Sequence, residues 1–302
     1  WQQVKELCVA AGYAAHETGT KHGTITVVAD DTALEITTFR TEGAYLDHRH
    51  PSEVIFTDSI EEDLGRRDFT VNAMAFHPAR GILDPFSGQT DLHGRMIRCV
   101  GDTHARFSED ALRILRALRF ASQLDFTLEP KTAHAALDQR EDLRLIAGER
   151  IEDELTKLLC GENVYQVLME HAAILNVVLP ELIAMEGLDQ KTKYHIYDVY
   201  EHTAWVVHYS PATPLARWAA LLHDIGKPDT FFTDEEGVGH MYGHPKMSVE
   251  HLHSIAKRLH FSRTFTNDLA LLVRYHDTRP APTKKSIRRL YAKLENKEYL
   301  FH

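Results

Sequence analysis

Residues 23–28 (GTITVV) and 33–39 (ALEITTF) exchange apolar and polar positions at nearly every step, the period-two pattern of a half-buried strand. Asp30 and Asp31 between them supply a turn, so this stretch predicts two strands joined tightly. Residues 76–100 add short strands around the loop DPFSGQTDL. From Ser108 the period turns helical: Ser108 offers a cap, Glu109 and Asp110 place acids in the first turn, and Ile114, Leu115, Leu118 and Phe120 form one apolar face. Further helices are predicted over 130–137, 150–159 and 164–171, and the pattern stays helical to the end. The polar, aromatic run TEGAYLDHRHP (41–51) predicts a loop, and residues 185–193 with Gly187 a linker. The class is α+β: a partial mixed sheet with helices over 1–100, an all-α segment over 101–186 and a second all-α unit over 194–302.

Composition narrows this little. A chain of 302 residues with 43% hydrophobic and 26% charged content can bury two or three modest cores. No run of eighteen apolar residues occurs, so no membrane partner is expected. Cys8, Cys99 and Cys160 lack a C-x-x-C pairing, which points to a reducing compartment, with the cytoplasm as the expected location. A net charge of -10 argues against general affinity for phosphate backbones, but local fields matter more than totals. Arg106, Arg113, Arg116 and Arg119 recur at helical spacing, and Lys284, Lys285, Arg288, Arg289 and Lys293 form a second basic cluster. Either can track RNA, or be a solvated face.

The candidate chemistry lies in two places. Asp110 and Arg113, at i and i+3, pair an acceptor with a guanidinium fork that can meet the Watson-Crick edge of a free base; alone they equally describe a surface ion pair. Upstream, Arg67, Asp68 and Asn72 suit phosphate oxygens and ribose hydroxyls, or a loop ion pair before a helix.

Five stretches in order carry a resemblance: LEITTFR (34–40), RRDFTVNAM (66–74), LDPFSGQTDLHGRMIR (83–98), EDALRILRALRF (109–120) and ERIEDEL (149–155). Together they resemble the class II tRNA nucleotidyltransferases, the CCA-adding enzymes, and the related bacterial poly(A) polymerases. The resemblance implies a nucleotidyltransferase head followed by a helical neck, a ribose and triphosphate held by Arg67, Asp68 and Asn72, and a base chosen by Asp110 and Arg113 with Arg116 beside them. It implies Mg²⁺ as cofactor, CTP and ATP as substrates and tRNA as partner, contacted in part by Lys284, Lys285, Arg288 and Arg289. Glu35 matches the third acid of the family's metal site and is the expected catalytic carboxylate. The glycine-rich turn and DxD pair that normally precede it have no counterpart in residues 1–19, and the family usually runs on past residue 302. The chain therefore reads as a fragment, inactive in nucleotide transfer as it stands. The resemblance also implies a flexible loop at 41–51.

The second half carries YHIYDVYEHTAWVV, LARWAALLHDIGKP, MYGHPKMSVEH and LLVRYHDT, which resemble the HD superfamily of metal-dependent phosphohydrolases. This implies His202, His223, Asp224 and Asp277 as ligands of a divalent ion such as Ni²⁺, Mn²⁺ or Mg²⁺, with His223 and Asp224 catalytic. His244 and His276 are expected nearby, behind the ligands, and Lys227 to steady a phosphate. Imidazole and carboxylate suit such an ion, which lowers the pKa of bound water. Of 20 histidines, His48, His50, His251 and His253 are assigned to loops or exposed helix faces. Poly(A) addition, partial A or CC addition, a chain working chiefly as an HD hydrolase, and a non-enzymatic RNA-binding scaffold remain open.

Overall fold

The computed structural model describes residues 1–43, 53–192 and 196–300. Contacts divide the chain into two compact units, residues 1–113 with 129–135 and residues 114–128 with 136–302.

In the first unit a helix, Gln2–Ala10, precedes a three-stranded antiparallel sheet of Ala14–Gly19, Thr24–Ala29 and Thr32–Thr37. Asp30 and Asp31 have φ of 47° and 59°, the left-handed pair that a two-residue hairpin turn requires. Ile25 and Val27 point into the core. The strand Ala14–Gly19 (AAHETG) carries no apolar alternation and is held by its pairing with Thr24–Ala29. Arg40–Glu42 and Val54–Phe56 make a second hairpin; the rest of the expected loop, residues 44–52 with His48 and His50, lies outside the described residues. The α+β class is as expected, with its described strands gathered as small ladders rather than one wide sheet.

The motif at 83–98 is scaffolding. Asp84 accepts from the backbone N–H of Gly88 (2.6 Å) and Gln89 (2.9 Å) and so starts the short helix Gly88–His93. Gly88 lies so close to the next segment that a Cβ there would meet the Thr70 carbonyl oxygen at 2.2 Å. From this helix Asp91 accepts from Thr70 Oγ1 (2.7 Å) and from Arg98 Nε (3.0 Å). Leu83 and Phe86 pack against Leu64, Ala73 and Val100. Residues 64–74 are thus held by a hydrogen bond at Thr70 and by apolar burial at Leu64 and Ala73.

The helix expected from Ser108 is two helices. Asp102 caps the first, Thr103–Glu109, accepting from Ala105 N–H at 2.8 Å, and Ser108 falls in its last turn. Asp110 then leaves helical geometry (φ -145°, ψ 104°), and its carboxylate accepts from Leu112 N–H (3.1 Å) at the start of Leu112–Leu124. A short acid that bonds nearby backbone competes with helix continuation, which is why the chain breaks here.

The second unit is helical. Gly148–Leu159 contributes Ile151, Leu155, Leu158 and Leu159 to the core. Trp218, on Pro214–Leu222, is fully buried and donates Nε1–H to Thr156 Oγ1 (2.8 Å), and Phe261 packs edge-on against its ring. Val199–Tyr209, His244–Leu259 and Arg263–Tyr275 complete the frame around the histidine cluster. On the helix Lys284–Lys293, Lys284, Lys285, Arg288 and Arg289 are all exposed. Among the described residues no helix is long and apolar enough to cross a membrane.

Candidate active sites

In the first unit, the one-turn helix Thr70–Asn72 folds Arg67, Asp68 and Asn72 together. Arg67 donates to the Asn72 carbonyl (3.0 Å), Asn72 Nδ2 donates to Asp68 Oδ1 (3.2 Å), and the same oxygen accepts from Phe69 N–H (2.9 Å). Asp68 is therefore pre-aimed by two donors, while Arg67 keeps a half-exposed guanidinium. Asp63, which sequence reasoning left without a role, organises the pair: it is buried and contacts Arg66 at 2.7 Å and Arg67 at 3.4 Å. Burial opposes its charge, but the Arg66 hydrogen bond and the two guanidinium charges hold its carboxyl below the usual range. The visible signal was an acid followed by arginines at i+3 and i+4.

Asp110 and Arg113 are not neighbours within one helix, as their spacing suggested: Asp110 stands at the break. Arg113 is buried, pairs with Glu109 and donates to the Arg106 carbonyl (3.0 Å); Glu109 also meets Arg106 at 3.1 Å. In the second unit Arg116 and Arg119 converge on the buried Glu154, at 3.5 and 2.6 Å. Glu154 belongs to ERIEDEL, the last of the five stretches that carry the family resemblance. The Arg119 contact is one of charge, since the facing Nε and Oε2 are not aligned for a hydrogen bond. Much of the arginine run is thus matched by carboxylates. Glu35 is exposed on the edge strand of the sheet and, among the described residues, joins no group of potential metal ligands.

The second unit gathers His202, His223, Asp224, His244, His276, Asp277 and Lys227 around a cavity of about 590 Å³. Asp224, 2% exposed, is its centre. Its Oδ2 faces His223 Nε2 (2.9 Å), His202 Nε2 (3.5 Å) and Lys227 Nζ (2.7 Å), while its Oδ1 faces Nε2 of His244 (3.2 Å) and His276 (3.5 Å). One carboxylate thus serves two imidazole pairs. His244 and His276, expected behind the ligands, turn Nε2 inward at the same range as His202. Asp277 is more exposed and reaches His244 (3.3 Å) and His276 (3.6 Å).

Local folding aims these rings. His223 and His276 follow the last turns of Pro214–Leu222 and Arg263–Tyr275, where carbonyls lack helical partners, and their Nδ1 atoms lie 2.7 Å from the Ala220 and Val273 oxygens. His244 Nδ1 meets the Met241 oxygen at 2.9 Å. A carbonyl accepts only from N–H, so each of these Nδ1 atoms carries a proton and Nε2 is the ring atom turned to Asp224. Burial works against the charge of Asp224, yet His223, His244 and His276 hold its carboxyl far below the usual range; burial lowers His276, but Asp224 raises it more. Of the remaining histidines, His253 is exposed, whereas His251 is half-buried against Asp229 (2.6 Å).

An anionic centre enclosed by inward-facing imidazole nitrogens gives the helical unit two residue groups that could hold a divalent cation, and the α+β unit carries the Arg67-Asp68-Asn72 turn. Residues 2–98 match the "Poly A polymerase head domain", residues 125–185 the "Probable RNA and SrmB-binding site of polymerase A" and residues 192–298 the "HD domain". The chain belongs to the CCA-adding enzyme and poly(A) polymerase family of nucleotidyltransferases, with an HD domain following the head and neck. The CCA-adding enzyme of Lactobacillus johnsonii is 52% identical over 209 residues, covering 68% of this chain and 49% of the relative. That of Lactobacillus helveticus is 38% identical over 228 residues, 76% of this chain and 53% of the relative. The chain spans about half the length of the curated relatives it matches. The solved structure of the Bacillus stearothermophilus CCA-adding enzyme with CTP is similar at a TM-score of 0.55 and 28% identity, covering 94% of this chain and 69% of that one.

Proposed function

We propose that this chain serves template-independent addition of C, C and A to the 3′ end of tRNA, with CTP and ATP as donors, and that its HD domain is a metal-dependent phosphohydrolase. The assembled Arg67-Asp68-Asn72 turn, within a chain 52% identical to a CCA-adding enzyme over 209 residues, carries the first half. Arg67 meets triphosphate oxygens, Asp68 accepts from ribose hydroxyls, and Asp110 and Arg113 read the base edge, a role the family resemblance extends to Arg116. In the transfer the tRNA 3′ oxygen bonds to the α-phosphorus, the α–β anhydride bond breaks and pyrophosphate leaves. Glu35 alone falls short of the octahedral oxygen set that Mg²⁺ demands, so no step is assigned to that ion. The exposed Lys284, Lys285, Arg288 and Arg289 follow the RNA backbone with modest, salt-sensitive affinity, and the cytoplasm is the matching location.

The second half rests on Asp224. His202 and His223 with Oδ2, and His244 and His276 with Oδ1, form two ligand groups sharing one carboxylate. Imidazole-rich sites favour Mn²⁺ or Ni²⁺ over Mg²⁺. A divalent ion bound there supplies hydroxide at neutral pH for attack on a phosphoester. Lys227 balances Asp224 from inside, and Asp277 completes the open rim.

The test is to give the intact protein Mg²⁺, labelled CTP and ATP, and tRNA trimmed of its last three nucleotides, beside a phosphatase assay with Mn²⁺ or Ni²⁺. Incorporation of C, C and A that is lost in Arg67→Ala, with phosphatase activity lost separately in Asp224→Ala, is expected. A-only or runaway A addition would move the reading to the poly(A) or partial-addition branch. Hydrolysis without incorporation would make the HD site the chief activity. Affinity for tRNA with neither turnover would leave an RNA-binding scaffold.

A further inference from the structure

Arg106 shares the helical spacing of Arg113, Arg116 and Arg119, yet its side chain is only 19% exposed, too enclosed to track an RNA backbone. It lies in the last turn of Thr103–Glu109, and its contacts close a ring within the first unit. Its carbonyl, at a helix end where carbonyls take partners from outside the helix, accepts from Arg113 Nη1 (3.0 Å). The same Arg113 nitrogen donates to Glu109 Oε2, and that oxygen lies 3.1 Å from Arg106 Nη1. Arg113 is thus held both by the backbone of Arg106 and by the carboxylate that Arg106 faces.

The ring has an arm that reaches the nucleotide turn. Arg106 Nη1 also donates to the Arg66 carbonyl (3.1 Å), across forty residues of chain. Arg66 closes the helix Ile60–Gly65, and its carbonyl belongs to the peptide that leads into Arg67. Asp63 steadies the same segment by facing the Arg66 and Arg67 side chains (2.7 and 3.4 Å), while Asn72 and Phe69 aim Asp68 just beyond it. A single nitrogen of Arg106 therefore joins the turn assigned to ribose and triphosphate to the arginine assigned to the base.

Contacts at both ends of one small molecule discriminate only when they are met together. A hydrogen bond is lost beyond about 3.5 Å, so slack of about 1 Å between the turn and Arg113 would let a base with the wrong edge settle into a compromise pose. We infer that Arg106 is a positioning residue for nucleotide choice: it fixes the span between Arg67-Asp68-Asn72 and Arg113, so that a base edge is read only when its sugar and phosphates are seated. This rests on the nucleotidyltransferase reading.

The experiment measures addition of one C from CTP, and of one U from UTP in its place, by the intact protein on tRNA trimmed of its last three nucleotides. Arg106→Met keeps the enclosed stem and removes every donor; it should lower the kcat/KM preference for CTP over UTP about 10- to 150-fold, the range of one hydrogen bond to a charged group. Arg106→Lys should restore that preference, because both side-chain contacts come from one nitrogen that an ammonium can replace. Arg106→Gln, which drops the charge facing Glu109, should also lose preference, so a failure of Arg106→Met to fold leaves the comparison with Arg106→Lys standing. Rates with CTP and UTP falling in equal proportion, an unchanged preference, or one lost as fully in Arg106→Lys would overturn the proposal and return Arg106 to packing. If the unsubstituted protein incorporates neither nucleotide, the transferase reading fails and the ratio of calorimetric dissociation constants for CTP and UTP decides instead. That ratio should collapse in Arg106→Met and hold in Arg106→Lys; a ratio unmoved in Arg106→Met would end this proposal too.

Discussion

Replacing Asp224 with Asn tests the metal centre while changing almost no volume. Asp224 presents one oxygen to each imidazole pair, so Asn removes an anionic ligand from both sides at once. An ion at one hundred times its dissociation constant stabilises the folded state by about 2.7 kcal/mol, and for a domain of this size each kcal/mol moves the melting temperature about 2–4 °C. The unsubstituted protein should therefore gain about 5–11 °C with excess Mn²⁺ over EDTA. A site weakened a hundredfold retains only about 0.4 kcal/mol, near 1 °C. Asp224→Asn also leaves buried Lys227 without its anion, and breaking a buried pair costs about 3–5 kcal/mol, softened by the Gln190 hydrogen bond that remains at 2.8 Å. The metal-free baseline should accordingly fall, and the informative quantity is the rise with metal over each protein's own baseline, read by scanning fluorimetry. An undiminished rise in Asp224→Asn would refute the reasoning. The rise should also fade on acidification from above the ordinary histidine range, because Asp224 raises His276 and protons compete with the ion.

Gly88→Ala should cost about 1–3 kcal/mol in urea unfolding, since its Cβ would press within 2.2 Å of the Thr70 oxygen; an unchanged midpoint would show that residues 70 and 88 part easily. Glu154→Gln keeps shape but removes the charge facing Arg116 and Arg119, and should cost about 1.5–3 kcal/mol and blur the choice between CTP and ATP in the intact enzyme; stability and choice both unmoved would deny it a bracing role. Burial lowers the pKa of His171, so its contribution is complete above the unfolded value of about 6.5 and is lost as pH falls below it. His171→Phe should flatten that limb of a stability-versus-pH curve, and a limb left unchanged would place its origin in other groups.

The hairpin over 24–37 was legible because alternation and an Asp-Asp turn agree. Its partner strand AAHETG was not, because pairing rather than local pattern makes it a strand. The break at Asp110 was hidden by an ambiguity: acids before an apolar run mark a helix start, yet a helix also ended there. In the HD domain the His-Asp pairs were visible, but the standing of His244 and His276 depends on which ring nitrogen faces inward. That follows from carbonyls three residues upstream, once the turns exist. The Arg67-Asp68-Asn72 turn was readable as a set of residue types, whereas its dependence on Asp63 and Gly88 arises only where segments meet.

The bonds from Nδ1 to spare helix-end carbonyls have a further consequence. Ring rotation at His223 and His276 is quenched by the same contacts that finish two helices, so the entropy of ordering the coordinating atoms is lost once, during folding, and not again with each arriving ion. An ion entering such a pocket would meet coordinating atoms already placed by the helix ends.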